Sequence, residues 1–312
     1  MPEAAETAET ARARRLDRLR RWLEGERADA SARDLLVEPG ADASAVRSLA
    51  LGEGAYVFVE EGGAALLDVP GVRVVEYSGV LELVGGEISL GDGMLVQTES
   101  YATAPYVSLS LPTALSVVDD VDREALLADV TTTENTSLLP PQLLQPVTTL
   151  VDQARLLAPL GLRSSTANRL HLRADGILTQ GPADETPLGD DFTIPTTGEV
   201  TVDEVRIARF VGAAKVVRGL RARLDHDVRL VESARGSVPR RDPVFVLAAA
   251  DDTYVVDALS GALSRVPAEI GARVTAALAA IADGESIDDS TRRVFDVLGL
   301  APLLTRPREA VT

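Results

Sequence analysis

The sequence predicts an α+β protein with a β-rich N-terminal domain and a C-terminal winged-helix-like module of three strands followed by helices. Three observations lead to this fold class. Short Val- and Leu-rich runs separated by glycine pairs fill residues 35–134. A segment with helical periodicity begins at Thr201. Three strand-like runs precede two helical runs in residues 242–312.

Length and composition set the broad class of protein. The chain has 312 residues and a mass of 33.0 kDa, which favours two domains, although one large or three small domains would also fit. It has no Cys, which excludes disulfides, zinc fingers, iron–sulfur clusters and thiol nucleophiles. The only His residues are His171 and His226, too few for a His-rich metal site. The N-terminus lacks the apolar core of a secretory signal, and no apolar run is long enough to span a membrane, so we expect a cytoplasmic protein.

Charge is distributed unevenly along the chain. Residues 1–34, predicted to form an N-terminal helical arm, carry no net charge. Residues 35–134, the predicted acidic β-rich domain, hold 17 acids and three arginines. The whole chain has a formal charge of −17, which disfavours nucleic acid as a partner because the phosphate backbone is anionic. The acidity fits either a solubilising surface or a surface that binds a basic partner.

The first two predicted segments differ in their periodicity. Residues 5–24 place Leu16, Leu19 and Leu23 at helical spacing, with Trp22 beside them. The β-rich domain shows five strand-like runs, which predict a meander or a small sandwich. These runs are 55–61, 64–69, 72–77, 80–90 and 94–98. We interpret the glycines at 85–86 and 91–93 as hairpin turns, since neither a helix nor a Lys follows them as in a phosphate loop.

Residues 135–241 are predicted to be a mixed helical and loop segment. Prolines at 140, 141 and 146 indicate a surface loop over 131–146, and a helix is expected over 147–159. Residues 181–200 read as a long loop. The helix after Thr201 begins with T-V-D-E, a capping box in which Glu204 lies three residues after Thr201. Its arginines predict a solvated basic face or a face for an acidic partner.

A search for catalytic motifs gives no positive sign of an enzyme. The chain has no P-loop, no G-x-G-x-x-G, no G-x-S-x-G and no H-E-x-x-H. His171 lies in an alternating run that predicts a structural residue of a strand. Asp119, Asp120 and Asp122 mark the start of a helix, where acids interact favourably with the helix dipole. We therefore expect a non-catalytic protein without a cofactor.

Residues 242–312 contain the clearest pattern of elements. Strands are predicted over 244–249, 253–259 and 262–266, followed by a helix over 268–282. Asp283-Gly284 ends that helix, and Ser286 is expected to cap a further helix over 287–298. The order of strand, strand, strand, helix and capped helix gives a compact winged-helix-like unit.

This order of elements resembles the PqqD-like RiPP recognition element. The segment 276–289, AALAAIADGESIDD, matches the helix, Asp-Gly pair and capped second helix of that family, and 253–266, TYVVDALSGALSRV, resembles its strand pair. The resemblance implies a peptide-recognition module that binds a precursor's leader peptide as an added strand beside the third strand. Carried onto this sequence, the peptide-binding residues are Ala262, Leu263, Ser264, Arg265, Val266, Arg292, Arg293 and Phe295.

The chain departs from the family pattern after Leu300. Only twelve residues follow, two of them prolines, so the family's third helix is expected to be short or absent. An earlier segment, such as the helix predicted over 203–224, would then have to close the peptide groove.

The whole chain resembles the recognition proteins of daptide biosynthesis, a ribosomal peptide pathway of actinobacteria. The resemblance implies a non-catalytic adaptor that presents a precursor to an oxidative decarboxylase, an aminotransferase and a methyltransferase. One alternative is a pseudoenzyme or accessory enzyme subunit that binds a small molecule in the β-rich domain. Another is a winged-helix transcriptional regulator. The net charge of −5 over residues 242–312 argues against the regulator.

Overall fold

The computed structural model places two compact units in one chain. It describes residues 7–26, 31–67, 69–91, 93–161, 166–167, 169–189, 192, 194, 200–224, 226–231, 240–258 and 260–304. The first unit is formed by Met1–Arg123, Val147–Ala154 and Ser164–Thr196, and the second by Glu124–Pro146, Arg155–Arg163 and Thr197–Thr312.

The chain combines helices and strands, so the α+β class is confirmed. The helices are α1 (Ala8–Glu24), α2 (Asp120–Thr136), α3 (Pro141–Leu144), α4 (Gln153–Leu156), α5 (Val202–Leu224), α6 (Ala268–Asp283) and α7 (Asp289–Val297). The strands of the first unit are β1 (Asp34–Val37), β2 (Tyr56–Glu60), β3 (Arg73–Val80), β4 (Glu87–Ser89), β5 (Leu95–Ser100), β6 (Thr113–Ser116), β7 (Thr148–Leu150), β8 (Arg169–Leu172) and β9 (Leu178–Thr179). Those of the second are β10 (Val228–Leu230), β11 (Val244–Ala249), β12 (Asp252–Asp257) and β13 (Leu263–Val266). None of the described helices is long and apolar enough to cross a membrane.

The first unit is built on one nine-stranded sheet with the order β7-β6-β5-β4-β3-β2-β1-β8-β9. Five of its strand pairs are parallel, and β4 and β9 run against the others. The predicted meander or sandwich is therefore wrong. Alternation of apolar and polar residues predicts a half-buried strand, but it does not predict the direction of the neighbouring strand. Nor does it predict that β1 pairs with β8, which is remote in sequence.

Helix α1 lies against one face of this sheet. It contacts both β1 and β7, which stand six places apart in the strand order, so the sheet curls around the helix. Leu19, Trp22 and Leu23 are buried, and the Trp22 indole donates to the carbonyl of Leu170 at 3.0 Å. The helix that the Leu and Trp spacing predicts is thus confirmed. It ends at Gly25, whose φ of +73° suits a glycine C-cap.

Residues between 124 and 196 depart most from the sequence prediction. The expected helix over 147–159 is wrong, because Thr148–Leu150 forms strand β7 and only Gln153–Leu156 is helical. The predicted loop over 131–146 contains the end of α2 and the short α3. Strands β7, β8 and β9 complete the first sheet, so that sheet extends beyond the predicted boundary at residue 134.

One predicted strand of the β-rich domain is also wrong. The predicted run 64–69 contains a 3₁₀ turn at Ala64–Leu66 instead of a strand.

The second unit contains a four-stranded antiparallel sheet with the order β10-β11-β12-β13. Alternation along β11 sends Val244 and Val246 into a core shared with α6 and α7, whereas Phe245 contacts Gly212 of α5. Because adjacent strand residues point to opposite faces, α5 covers one face of the sheet and α6 with α7 covers the other. The predicted strands and first helix of residues 242–312 are confirmed to within a few residues.

Of the two helix N-caps predicted from the sequence, one is confirmed and one is wrong. The capping box of α5 is present: the Thr201 N–H donates to Glu204 Oε2 at 2.8 Å, and the Glu204 N–H donates to Thr201 Oγ1 at 3.3 Å. The predicted Ser286 cap is wrong, because α7 begins later. Asp288 caps it by accepting the Thr291 N–H at 2.9 Å. Both residue types are good N-caps, so local sequence did not discriminate between them.

Candidate functional site

The two sheets leave four outer strands, which differ in how far their outward backbone groups are occupied. In the first unit, β7 is buried along all three residues. Beyond β9, the outward carbonyl of Leu178 accepts the N–H of Leu188 at 2.8 Å. An outer strand is open to another chain only where its backbone groups lack such partners.

On the β10 edge of the second unit, an arginine of α5 occupies one outward carbonyl. The Val231 N–H donates to the Val246 carbonyl at 2.9 Å, and this register turns the backbone groups of Val228 and Leu230 away from β11. The Arg221 guanidinium donates to the outward Val228 carbonyl at 3.1 Å and pairs with Asp227 at 2.6 Å. The Val228 carbonyl on this edge is therefore occupied by a side chain of the same unit.

The β13 edge is open. The Asp257 N–H donates to the Ala262 carbonyl at 3.0 Å, so Asp257 and Ala262 form a hydrogen-bonded pair. Hydrogen-bonded and non-hydrogen-bonded pairs alternate along an antiparallel ladder. Leu263 and Arg265 therefore form non-hydrogen-bonded pairs with their partners on β12. The N–H and C=O groups of Leu263 and Arg265 consequently point away from β12. Across the described part of the chain, no residue donates to or accepts from these four outward groups. They form an unpaired edge to which a further strand can add.

The two faces of this edge differ in chemistry. Val266 packs against the core of α6 and α7, and Ser264 shares its face by alternation. Leu263 lies on the other face and is 40% exposed. Arg265 lies on that face as well, and its Nε donates to Asp252 Oδ1 at 2.8 Å. A strand added here would meet an apolar face on one side and a Leu beside an ion pair on the other.

A tight turn fixes the start of β13. Ser260 donates its hydroxyl to Asp257 Oδ2 at 2.7 Å and accepts the Ala262 N–H at 3.3 Å. Gly261 has a φ of +71°, a conformation that glycine adopts without strain. These contacts hold the exposed Ala262 next to the open edge, so the Ser-Gly turn positions the first residue of the predicted site.

The predicted helix residues differ in their exposure. Phe295 is fully buried in the core of α6 and α7. Its predicted role in peptide contact is therefore wrong; the residue is apolar because it packs the core. Arg292 and Arg293 are exposed on α7, and Arg292 lies 3.8 Å from Asp289. Helix α7 contacts α6 and the 3₁₀ turn Ala301–Leu304, whereas β13 pairs with β12.

Where the family's third helix would begin, the last described residues form a short turn. The chain after α7 forms the 3₁₀ turn Ala301–Leu304, and Leu303 and Leu304 pack against the core of α6 and α7. Helix α5 packs on β10 and β11, at the other side of the sheet from β13. The sequence-based suggestion that α5 closes a groove at β13 is therefore wrong. The edge is defined by its own backbone and by the flanking α6 face.

The buried His171 of the first unit has a structural role. His171 is 2% exposed on β8, its ring meets Trp22 edge-on at 5.7 Å, and its Nε2 lies 3.1 Å from Glu38 Oε1. Burial lowers the pKa of His171 to about 4, partly opposed by Glu38. The imidazole is neutral at pH 7 and is packed against α1, as the alternating sequence around it predicts. Within the described residues, no group of three or more His, Asp or Glu side chains could hold a metal ion.

Known proteins do not assign this chain to a family. No protein-family model matches it, and neither the curated proteins nor the solved structures contain a match. The functional argument therefore depends on the geometry of β13 and on the order of elements around it.

Proposed function

We propose that the chain is a non-catalytic adaptor that binds the leader segment of a ribosomally made precursor peptide as an added strand on β13. The observation that carries the proposal is the open edge: Leu263 and Arg265 present four unpaired backbone groups. An extended peptide satisfies such groups by β-augmentation, in which backbone hydrogen bonds give affinity and alternate side chains give specificity.

The size of the edge sets the expected affinity. Pairing with Leu263 and Arg265 allows up to four backbone hydrogen bonds, each worth about 0.5–1.5 kcal/mol net. A micromolar dissociation constant corresponds to about 8 kcal/mol, so apolar contacts must contribute as well. Val266, which is only partly buried against the core of α6 and α7, gives peptide side chains that point to that face an apolar contact.

The order of elements supports the same function. The chain order of three strands and two helices, β11 to β13 followed by α6 and α7, is the order expected from the resemblance to the PqqD-like recognition element. The winged-helix assignment of this module is part of the proposal. The daptide-type resemblance gives the biological role: delivery of the precursor to an oxidative decarboxylase, an aminotransferase and a methyltransferase. The adaptor itself needs no cofactor, because strand addition involves no covalent step.

The test uses a labelled leader peptide, taken from the precursor encoded beside this gene. The full-length protein is titrated into this peptide, and fluorescence anisotropy measures the binding. Leu263→Pro removes an outward N–H without removing a bond to β12, so it should weaken binding at least about tenfold. Leu230→Pro is the matched control, since it removes an outward N–H on the opposite edge of the same sheet.

The outcomes are decisive once circular dichroism shows that both variants fold. Saturable binding that is weakened in Leu263→Pro and unchanged in Leu230→Pro supports the adaptor. Equal weakening in both variants, or no binding by the wild-type protein, would overturn it. Leu263→Ala, which keeps the N–H, separates the backbone contribution from that of the Leu side chain.

A further inference from the structure

The open β13 edge is complementary to itself. Its four outward backbone groups belong to Leu263 and Arg265, which are separated by Ser264. In an antiparallel pair, two residues with outward groups exchange two hydrogen bonds when they face each other. If two copies of β13 meet with Ser264 opposite its own equivalent, Leu263 of each copy faces the partner's Arg265. All four outward groups of each copy then form backbone hydrogen bonds.

The neighbouring antiparallel registers satisfy fewer of these groups. A pair centred on Leu263 would place Arg265 opposite Gly261, which lies in the turn and whose N–H already donates to the Asp257 carbonyl at 2.8 Å. A pair centred on Arg265 would place Leu263 opposite Pro267, which has no N–H. It would also set two guanidinium groups directly opposite each other, which is unfavourable. Backbone and charge therefore favour the register centred on Ser264.

The side chains on the Leu263 face fit the same register. Leu263 is 40% exposed and pairs with Val256 of β12, and Arg265 pairs with Tyr254. In the self-paired edge, the aliphatic stem of the partner's Arg265 would cover the open side of each Leu263. The charge of Arg265 is balanced within its own copy by Asp252 Oδ1, 2.5 Å from Nη2. Pairing would thus bury Leu263 without bringing unpaired like charges together.

The helices of the second unit lie mainly over strands other than β13. Helix α5 packs on β10 and β11, and α6 packs on β11 and β12. With strands about 4.8 Å apart, the axes of the α6 helices of two paired copies would be roughly 19 Å apart. A helix with its side chains has a diameter of about 10–12 Å. The two α6 helices would therefore not collide across the paired edge.

We propose that two copies of this chain associate through antiparallel pairing of their β13 strands about a two-fold axis at Ser264. The two-fold axis makes the contact isologous, so the pairing ends at a dimer and leaves no open β13 edge. The contact is small, so we expect a transient dimer that forms at high protein concentration. This association is separate from the adaptor function and does not depend on it, although a peptide that adds to β13 would compete with the second copy.

The test uses the sequence's lack of Cys, because Ser264→Cys then introduces the only thiol. The proposed register sets the two equivalent positions opposite each other in a non-hydrogen-bonded pair, with Cα atoms about 4.5 Å apart, which a disulfide can bridge. The full-length variant is oxidised, and covalent dimer is followed by non-reducing gel electrophoresis. Ser286→Cys is the matched control for chance encounters, because Ser286 is exposed and lies outside β13. We expect Ser264→Cys to cross-link at least about tenfold faster, since pairing raises the effective thiol concentration.

Two further variants test the register and the backbone pairing. Leu263→Cys should cross-link more slowly than Ser264→Cys, because its equivalent in the partner lies diagonally, about 7–8 Å away. Sedimentation velocity of the wild-type protein between about 10 and 500 µM should show a sedimentation coefficient that rises with concentration. Leu263→Pro, which removes an outward N–H of β13, should reduce this rise, and Leu230→Pro on the opposite edge should not.

Three results would overturn the proposal once circular dichroism shows that the variants fold. These are equal cross-linking by Ser264→Cys and Ser286→Cys, faster cross-linking by Leu263→Cys than by Ser264→Cys, and a wild-type sedimentation coefficient that does not rise with concentration. The peptide titration is a separate readout. A dimer without peptide binding would therefore overturn only the adaptor, and peptide binding without a dimer would overturn only the self-pairing.

Discussion

Single residues in the first unit stabilise the packing of α1 against the curled sheet. Arg169, at the start of β8, is 2% exposed. Its guanidinium donates to the carbonyls of Trp22 and Leu23 at the end of α1 and to the Gln180 carbonyl at 2.9 Å, and it pairs with Asp152. One side chain therefore adds hydrogen bonds to two helix carbonyls, which also accept the N–H groups of Gly25 and Asp152, and supplies the counter-charge of the Asp152 carboxylate.

We expect Arg169→Met to lower the free energy of unfolding by about 3–5 kcal/mol, because removing one partner of a buried pair leaves the other uncompensated. Urea unfolding followed by circular dichroism measures this change. The control is Arg173→Met, whose guanidinium is 35% exposed and pairs with Asp175; its cost should be at most about 1 kcal/mol. Equal costs for both variants would contradict a structural role for the Arg169 network.

The buried His171 should control part of the pH dependence of stability. Burial lowers its pKa to about 4 in the folded protein, against about 6.5 in the unfolded chain. The unfolded chain therefore binds the extra proton first. The contribution of His171 to stability is complete above pH 6.5 and is lost as the pH falls from about 6.5 to 4.

Replacing His171 by Phe should reduce the loss of unfolding free energy between pH 7 and pH 4.5 by about 2.5 kcal/mol. The measurement is urea unfolding at pH values across this range. The exposed His226 provides the control: His226→Gln should keep the wild-type profile. A profile that stays as steep in His171→Phe as in the wild type would show that other groups cause the acid sensitivity.

At the scale of elements, α5 is the helix whose environment the sequence described least well. Two of its arginines make contacts within the unit instead of joining the solvated face that their spacing predicts, although Arg223 is exposed. Arg206 pairs with Glu134 at 2.7 Å, and Arg209 stacks on Phe245 at 4.7 Å and approaches Asp242. Burial acts to raise the pKa of Asp242, but the charges of Arg240 and Arg209 outweigh it and lower the pKa to about 2. The arginines thus bind α5 to its own unit.

Two glycines of α5 test how closely it packs. A Cβ at Gly212 would lie 2.9 Å from a ring carbon of Phe245, whereas a Cβ at Gly219 would have no atom within 4 Å. We expect Gly212→Ala to destabilise the protein by about 1–3 kcal/mol through overpacking. Gly219→Ala should stabilise it by about 0.5–1 kcal/mol, because alanine favours the helix.

Thermal and urea unfolding of the two glycine variants, measured side by side, check this prediction. The two substitutions are identical in helix propensity, so a difference between them reports packing alone. Opposite signs are expected. If both variants stabilise the protein, α5 does not pack against Phe245 as closely as described.

At the scale of the whole molecule, charge and topology divide the chain differently. The acidity is concentrated in residues 35–134, yet the sheet of the first unit also uses Thr148–Leu150, Arg169–Leu172 and Leu178–Thr179. The sequence of the second unit is likewise discontinuous. A division by composition places a boundary where charge changes, whereas the tertiary fold places it where contacts end.

Local signals explain why some parts of the fold could be predicted. The stripe of Leu19, Trp22 and Leu23 predicted α1, and the Thr201–Glu204 capping box predicted the start of α5. Both signals act within one or two helical turns, so neighbouring residues contain them completely. The strands and first helix of residues 242–312 were predictable for the same reason: their turns and pairings are sequential.

By itself, the sequence determined the α+β class, the C-terminal order of elements and the lack of thiol chemistry. Only the tertiary structure decided that β1 lies between β2 and β8, that Phe295 belongs to the core, and that β13 is open while Arg221 occupies the Val228 carbonyl of β10. These features arise from contacts between residues that are distant in sequence or from the register of paired strands. Periodicity reports which face of an element is buried, but long-range packing decides what buries it.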